Sequence, residues 1–260
     1  MEVIMDLEYF EEWVLKDFGI NLKAYKQNQL QRRILSLMSR VGVNSVEEYI
    51  NLLKKDKDQR IKFLDFITIN VSEFFRNPEI FDELEKKIKS ELLNNTSGSL
   101  KIWSAACSIG AEPYSLSIIM DELSPSKKHK IIATDLDMTI LQRAKEGIYT
   151  QAEIKNVKKE RLEKYFTKEE EKYKIKSSIK NVVTFKKHDL ILDNYEKDFD
   201  LIVCRNVVIY FNQDIKDNIY KKFSESLKKG GLLFVGATES IYNYKDYGFE
   251  KVSTFIYRKI

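Results

Sequence analysis

The chain has 260 residues, 43% hydrophobic and 32% charged, with 9 Gly, 3 Pro and 2 Cys. This is ordinary globular composition, which excludes a collagen-like or loop-rich architecture, and Cys107 and Cys204 alone make neither a disulfide framework nor a structural zinc site. The balance of 44 basic and 40 acidic residues, +4 overall, gives no argument for nucleic acid or a membrane surface, so neither is expected as a partner.

In chain order, the N-terminus MEVIMDLEYFEEW carries acids where a signal peptide needs bases followed by an apolar core. No apolar run approaches the roughly 20 residues that span a bilayer, so a soluble, cytoplasmic chain is expected. Residues 1–75 read as a small all-α domain. Met1 to Asp17 hold six acids and one lysine, whereas Phe18 to Val46 have no acid and carry Lys23, Lys26, Arg32, Arg33 and Arg40. Within that segment Leu30, Ile34, Leu37 and Met38 recur at helical spacing, which predicts an amphipathic helix with a basic polar face. Such a face is either simply solvated or a docking surface for an acidic partner. Gly19 and Gly42 stand at helix ends, Asn44 is the expected start of VEEYINLLKK, and Pro78 opens a further helix.

From Leu100 onward strands alternate with helices. The apolar run LKIWSAAC precedes the helical PYSLSIIMDEL, and KIIATDLD precedes TILQRAKEG. NVVTFKKHD, FDLIVCRN and GLLFVGATE read as later strands, with DIKDNIYKKFSESLKK a helix between the last two, and GFEKVSTFIYRKI as a closing hairpin strand. This order predicts a doubly wound, Rossmann-like α/β domain over residues 76–260, with 165–185 as a candidate β-subdomain. The stretch Gln151 to Lys180, with ten Lys/Arg against six Glu, reads as surface, as do the two histidines, His129 and His188.

Ligands of open α/β sheets bind outside the carboxyl ends of the strands, at the point where strand order reverses. Three such ends are CSIGAEP, TDLD and CRN. Asp135 lies 25 residues beyond Gly110, close to the roughly 20 expected for an acid that holds ribose hydroxyls. A pyrophosphate would want a G-x-G-x-x-G turn, but this loop has Gly110 alone, followed by Glu112 and Pro113. A carboxylate there repels phosphate and suits a cation, which points to S-adenosylmethionine rather than a dinucleotide. The absence of G-x-x-x-x-G-K-[ST] disfavours a nucleoside triphosphatase in the same way.

The ordered segments TINVSEFFRN, IWSAACSIGAEPYSL, IIATDLD, FDLIVCRNVVIYF and GGLLFVGATES, with YK…RRI…M in the helical part, resemble the CheR-type chemotaxis receptor methyltransferases over essentially the whole chain. The resemblance implies a fold with a small all-α N-terminal domain, an S-adenosylmethionine-binding methyltransferase domain and a short β-subdomain insertion. It implies transfer of a methyl group to receptor glutamates, giving γ-methyl esters and S-adenosylhomocysteine. The partners implied are the cytoplasmic domains of methyl-accepting chemotaxis receptors, and a monomer is expected. Carried over by position, cofactor contacts fall on Asn70, Ser72, Arg76, Glu112, Asp135, Asp189, Leu190, Arg205 and Asn206. Ser72 stands where Thr is usual and keeps the hydroxyl. Asp189 stands where Asn is usual and keeps only an acceptor. Ile109-Gly110-Ala111 replaces the commoner Thr-Gly-Glu, leaving one of two neighbouring acids.

A glutamate nucleophile has a reference pKa of about 4.3 and is ionised near neutrality, so no general base is required. Arg76 is the expected catalytic residue that orients the substrate carboxylate, and Tyr210 a hydrogen-bond donor to it; as bland alternatives, Arg76 pairs with Glu73 or Glu79 and Tyr210 only packs. Lys26, Arg32, Arg33 and Arg40 become the expected docking surface for Glu-rich receptor helices. The β-subdomain segment lacks glycines at its turn, so no tether to a receptor's C-terminal pentapeptide is expected. Two other readings remain: a methyltransferase for another substrate, disfavoured because CRNVVIY lacks the [DN]-P-P-[YF] of amino-group enzymes, and a non-catalytic cofactor-binding adaptor.

Overall fold

A computed structural model describes residues 7–68, 72–96 and 98–260. The chain divides into two compact units, one of residues up to Asn70 together with Tyr210–Ile215, the other of Val71–Ile209 and Lys216–Ile260.

The first unit is helical: α1 (Leu7–Phe18), α2 (Gln27–Val41), α3 (Val46–Lys55) and α4 (Lys57–Thr68). The buried side chains of α2 are Leu30, Ile34, Leu37 and Met38, the four that the 3.6-residue period selects. Phe10 of α1 stacks on Tyr49 and meets the edge of Phe63, so three helices share an aromatic core. Gly42 ends α2 at φ 74°, a conformation that costs a residue without Cβ little. The start of α3 differs from expectation by one residue. Ser45 is the cap, its hydroxyl accepting the Glu48 N–H, while the Glu48 carboxylate reaches back to the Asn44 N–H. Asn44 is thus the residue before the cap in a reciprocal arrangement that satisfies two helix-end donors. Tyr210–Ile215, which sequence order alone would assign to the second domain, packs here. The Tyr210 carbonyl accepts from Lys26 N–H, Asn212 N–H donates to the Ala24 carbonyl, and Phe211 meets Tyr25 edge-on.

The second unit begins with α5 (Pro78–Lys87), followed by β1 (Lys101–Ala105), α6 (Ala111–Leu123), β2 (Lys130–Asp135) and α7 (Met138–Glu146). A short region then holds β3 (Ile148–Thr150), α8 (Lys159–Tyr165), β4 (Phe166–Glu169), β5 (Lys172–Ile175) and α9 (Ser177–Lys180). The remainder is β6 (Val183–Lys187), β7 (Phe199–Cys204), α10 (Gln213–Ser226), β8 (Leu227–Val235), β9 (Phe249–Lys251) and β10 (Ile256–Lys259).

Seven strands form one sheet in the order β6-β2-β1-β7-β8-β10-β9. The first five run parallel, and β10 is antiparallel to both neighbours. Helices cover both faces, so the central strands are apolar on successive residues: Ile131, Ile132 and Ala133, Leu201, Ile202 and Val203, Leu232, Leu233 and Phe234 are all buried. Strand order reverses between β1 and β7, which opens a crevice at their carboxyl ends. The small sheet is β3-β5-β4, closed by the two-residue turn Glu170-Glu171 with Glu170 at φ 52°. It recruits Ile148–Thr150 and ends at Ile175, whereas Val183–Lys187 is an edge strand of the large sheet.

The histidines are not surface residues. His129 is buried, its Nδ1 accepting the Leu100 N–H and its Nε2 joined to the Ser124 hydroxyl. His188 is half-buried with its ring against Trp103 and Tyr195. Burial lowers both pKa values and keeps the rings neutral near pH 7.

Candidate active site

The crevice is built from strained turns. Of the seven non-glycine residues with positive φ among the described residues, five flank it: Phe75, Asn77, Ala106, Ser108 and Asn206. Residues in such conformations cost of order 1–3 kcal/mol each and persist where surrounding bonds over-determine them. After β1, the Cys107 N–H donates to the Thr134 carbonyl and the Ser108 N–H to the Asp135 carboxylate, which folds the loop over the end of β2. Gly110, at φ 83°, then starts α6. A Cβ there would lie 3.0 Å from the Ala144 Cβ and 3.2 Å from the Phe185 ring, so this position demands glycine for space as well as for backbone angle.

Glu112, in the first turn of α6, accepts from the Ser104 hydroxyl at 2.8 Å, and its other oxygen lies 3.7 Å from the Arg205 guanidinium. Burial pushes the Glu112 carboxyl up, and the charges of Arg205 and Arg76 oppose that shift. Arg205 follows β7 and is itself buried between the rings of Phe81 and Phe234, each 5.0 Å from the guanidinium. One of its nitrogens donates to the Arg76 carbonyl at 2.7 Å and to the Asn77 side chain at 3.1 Å. Arg205 therefore links the ends of β1 and β7 to the FFRN turn. In that turn Phe74 packs on Tyr149 and Phe166, the Phe75 N–H donates to the Ser115 hydroxyl, and Arg161 covers the Phe75 ring. Glu73 is held by Lys155 and Asn156.

Asp135 ends β2. Its carboxylate accepts from the Ser108 and Asp137 backbone N–H groups, yet burial raises its pKa to about 6. Asp137, not Asp135, caps α7, through Thr139 and Ile140. Asp189 and Leu190 follow β6. One Asp189 oxygen accepts from the Ile191 and Leu192 N–H groups, an Asx turn that a carboxylate serves as well as an amide. Ser72 is half-buried at the head of the FFRN turn, and Asn70 lies outside the described residues. The structure thus gathers Arg76, Glu112, Asp135, Arg205 and Asn206 on the loops at the carboxyl ends of β1, β2 and β7 and on the turn tied to them. Tyr210 belongs to the helical unit, beneath the Arg33 guanidinium, 5.9 Å from its ring.

Sequence reasoning missed Glu239 although it lies within the GATES segment. Its buried carboxylate accepts backbone N–H groups of Asn206, Val207 and Gly236. No spacing rule announces that role, because the partners come from two distant strand ends. The basic face of α2 also divides. Arg33 donates to the Phe66 carbonyl and lies over the Phe66 ring, whereas Arg32 and Arg40 are exposed, Arg40 reaching the same ring from 5.4 Å.

The donor set fits a cationic sulfur nucleoside. Among the described residues five buried side-chain atoms have no partner; Glu11 Oε1 and Ser226 Oγ lie in α1 and at the end of α10, whereas the Ser108 hydroxyl, the Arg205 Nε and the His188 Nε2 lie just past the carboxyl ends of β1, β7 and β6. A carboxylate, Glu112, stands where a phosphate cradle would need backbone N–H groups alone.

Comparison with known proteins agrees. The family described as "CheR methyltransferase, SAM binding domain" matches residues 70–257, and "CheR methyltransferase, all-alpha domain" matches residues 5–68. The chain belongs to the CheR methyltransferase family. A chemotaxis protein methyltransferase of Listeria monocytogenes is 42% identical over 261 residues, covering 99% of this chain and 100% of that protein. One of Borreliella burgdorferi is 36% identical, covering 93% of this chain and 90% of its own, and one of Escherichia coli 32%, covering 85% and 79%. This CheR chain is accordingly a chemotaxis methyltransferase that takes S-adenosylmethionine. Among the described residues, no helix is long and apolar enough to cross a membrane.

Proposed function

We propose that the chain methylates glutamate side chains in the cytoplasmic domains of methyl-accepting chemotaxis receptors, forming γ-methyl esters. The observation that supports this most is the composition of the crevice: two arginines, Arg76 and Arg205, and buried carboxylates, with no imidazole placed as a base. His129 precedes β2 and so lies at the opposite end of the sheet, and His188, although just past β6, has its Nε2 buried and its ring packed on Trp103 and Tyr195. An acceptor that is ionised near neutrality needs no base, whereas an amine or hydroxyl acceptor must lose a proton.

When bound, S-adenosylmethionine would supply an electrophilic methyl group on a positively charged sulfur, for a substrate carboxylate oxygen to take in place of that sulfur. The chain's contribution is alignment. Asp135 accepts from the ribose hydroxyls, Glu112 from the ammonium, and Asp189 with Leu190 lines the adenine. Ser72, Arg205 and Asn206 complete the cofactor pocket. Arg76 orients the substrate carboxylate. Lys26, Arg32, Arg33 and Arg40 attract Glu-rich receptor helices, with Arg32 and Arg40 the members turned outward. The Glu170-Glu171 turn of the small sheet is acidic and disfavours capture of a peptide's terminal carboxylate there. The protein acts in the cytoplasm as a monomer.

The test is incubation with methyl-labelled cofactor and a receptor signalling domain. Label released as volatile methanol in mild alkali is expected. Alkali-stable label, the mark of a methylated amine, would refute the assignment.

A further inference from the structure

We propose that Glu239 is a positioning residue, whose carboxylate holds the turn Asn206–Ile209 in the conformation that methyl transfer requires. This rests on reading the crevice as the methyl-transfer site. Glu239 is only 4% exposed. Among the described residues its carboxylate is met at hydrogen-bond distance by backbone N–H groups, with the Arg205 charge acting on it from farther away. One oxygen accepts from the Asn206 N–H at 2.5 Å and the Gly236 N–H at 2.9 Å, and the other from the Val207 N–H at 2.9 Å. These bonds over-determine Asn206, which sits at φ 59°.

Gly236 completes the device. A Cβ there would stand 2.5 Å from the Glu239 carboxylate and 3.0 Å from the Asn206 nitrogen, so the glycine makes room for the close approach. Arg205, one residue before the turn, is anchored separately by Glu112, the Arg76 carbonyl and Asn77. The clamp therefore governs the turn beyond Arg205 and leaves the Arg205–Glu112 pair in place. Because Asn206 also belongs to the proposed cofactor pocket, loss of the carboxylate should weaken cofactor binding somewhat and methyl transfer more.

The experiment uses the full chain with Glu239→Gln, Glu239→Asp and Gly236→Ala. Cofactor dissociation constants come from calorimetry, kcat from methyl transfer to a receptor signalling domain, and folding from thermal melts. Glu239→Gln keeps the shape but presents an N–H₂ to backbone donors, so kcat is expected to fall at least about tenfold while cofactor affinity stays within about fivefold. Gly236→Ala, which displaces the carboxylate without removing it, should give the same split, and Glu239→Asp an intermediate one. Should Glu239→Gln melt without cooperativity, Gly236→Ala decides by the same criteria. A kcat within about twofold of wild type, or a loss of kcat matched by an equal loss of affinity, overturns the proposal. A wild-type chain that binds cofactor but leaves the receptor unmethylated instead defeats the glutamate assignment, and this proposal with it.

Discussion

Asp135 is held where a carboxylate is costly, and that cost has a sign that can be measured. Burial pushes its carboxyl from an ordinary value near 3.8 up to about 6, outweighing the backbone N–H bonds it accepts. For stability, this group's favourable contribution is present below about 3.8 and lost as pH rises through about 6, so the cofactor-free fold gains from its protonation. Binding runs the other way, since the ionised form accepts ribose hydroxyls best. Cofactor affinity is expected to fall as pH drops through about 6, by up to tenfold per unit, and Asp135→Asn should bind more weakly with a flatter profile. Calorimetric titrations across that range check both; an unchanged profile in the variant would exclude Asp135 as the titrating group. Arg76 allows a cleaner separation. Its backbone carbonyl, not its side chain, anchors Arg205, so Arg76→Ala should keep the fold while reducing kcat by on the order of 10²–10³-fold. Equal melting temperatures with near wild-type turnover would contradict the role.

Elements were legible in the sequence to the degree that their causes are local. Helix α2 was, because Leu30, Ile34, Leu37 and Met38 report one face directly and Gly42 marks its end. The parallel strands were too, since burial on both faces leaves unbroken apolar runs. Strand β3 was not: three residues, Ile148–Thr150, become a strand only by pairing with Lys172–Lys174. Sequence alone does not choose between Asn44 and Ser45, both good caps; the reciprocal bonds with Glu48 select Ser45. In the site, Glu112 and Asp135 were visible from their offsets to Gly110, while the Glu239 clamp and the burial of His129 depend on tertiary contacts. Gly110 tests the turn between β1 and α6. Gly110→Ala adds a methyl against Ala144, Phe185 and Tyr114 at φ 83°, so a loss of about 1–3 kcal/mol in denaturant unfolding is expected, together with weaker cofactor binding. Unaltered stability would mean that the loop relaxes without strain.

Across the molecule, the net charge of +4 conceals segregation, with acids concentrated before Asp17 and none from Phe18 to Val46. An exposed basic face accelerates encounter with an acidic helix and loses its effect once salt screens it. The arginines of α2 do not share this work equally. Arg33 is bonded to the Phe66 carbonyl and covers two rings, and burial lowers its pKa, so Arg33→Glu should chiefly destabilise the helical unit. Arg32 is exposed, and Arg40 is exposed with its guanidinium 5.4 Å from the Phe66 ring. The double reversal Arg32→Glu/Arg40→Glu is therefore expected to raise KM for a receptor signalling domain by about tenfold at low ionic strength, with kcat and cofactor affinity little changed. The difference from wild type should shrink as salt rises toward about 1 M, where the Debye length falls to about 3 Å. A KM that is unaffected at low salt, or a defect that persists undiminished at high salt, would show that receptor helices do not reach the enzyme across this face.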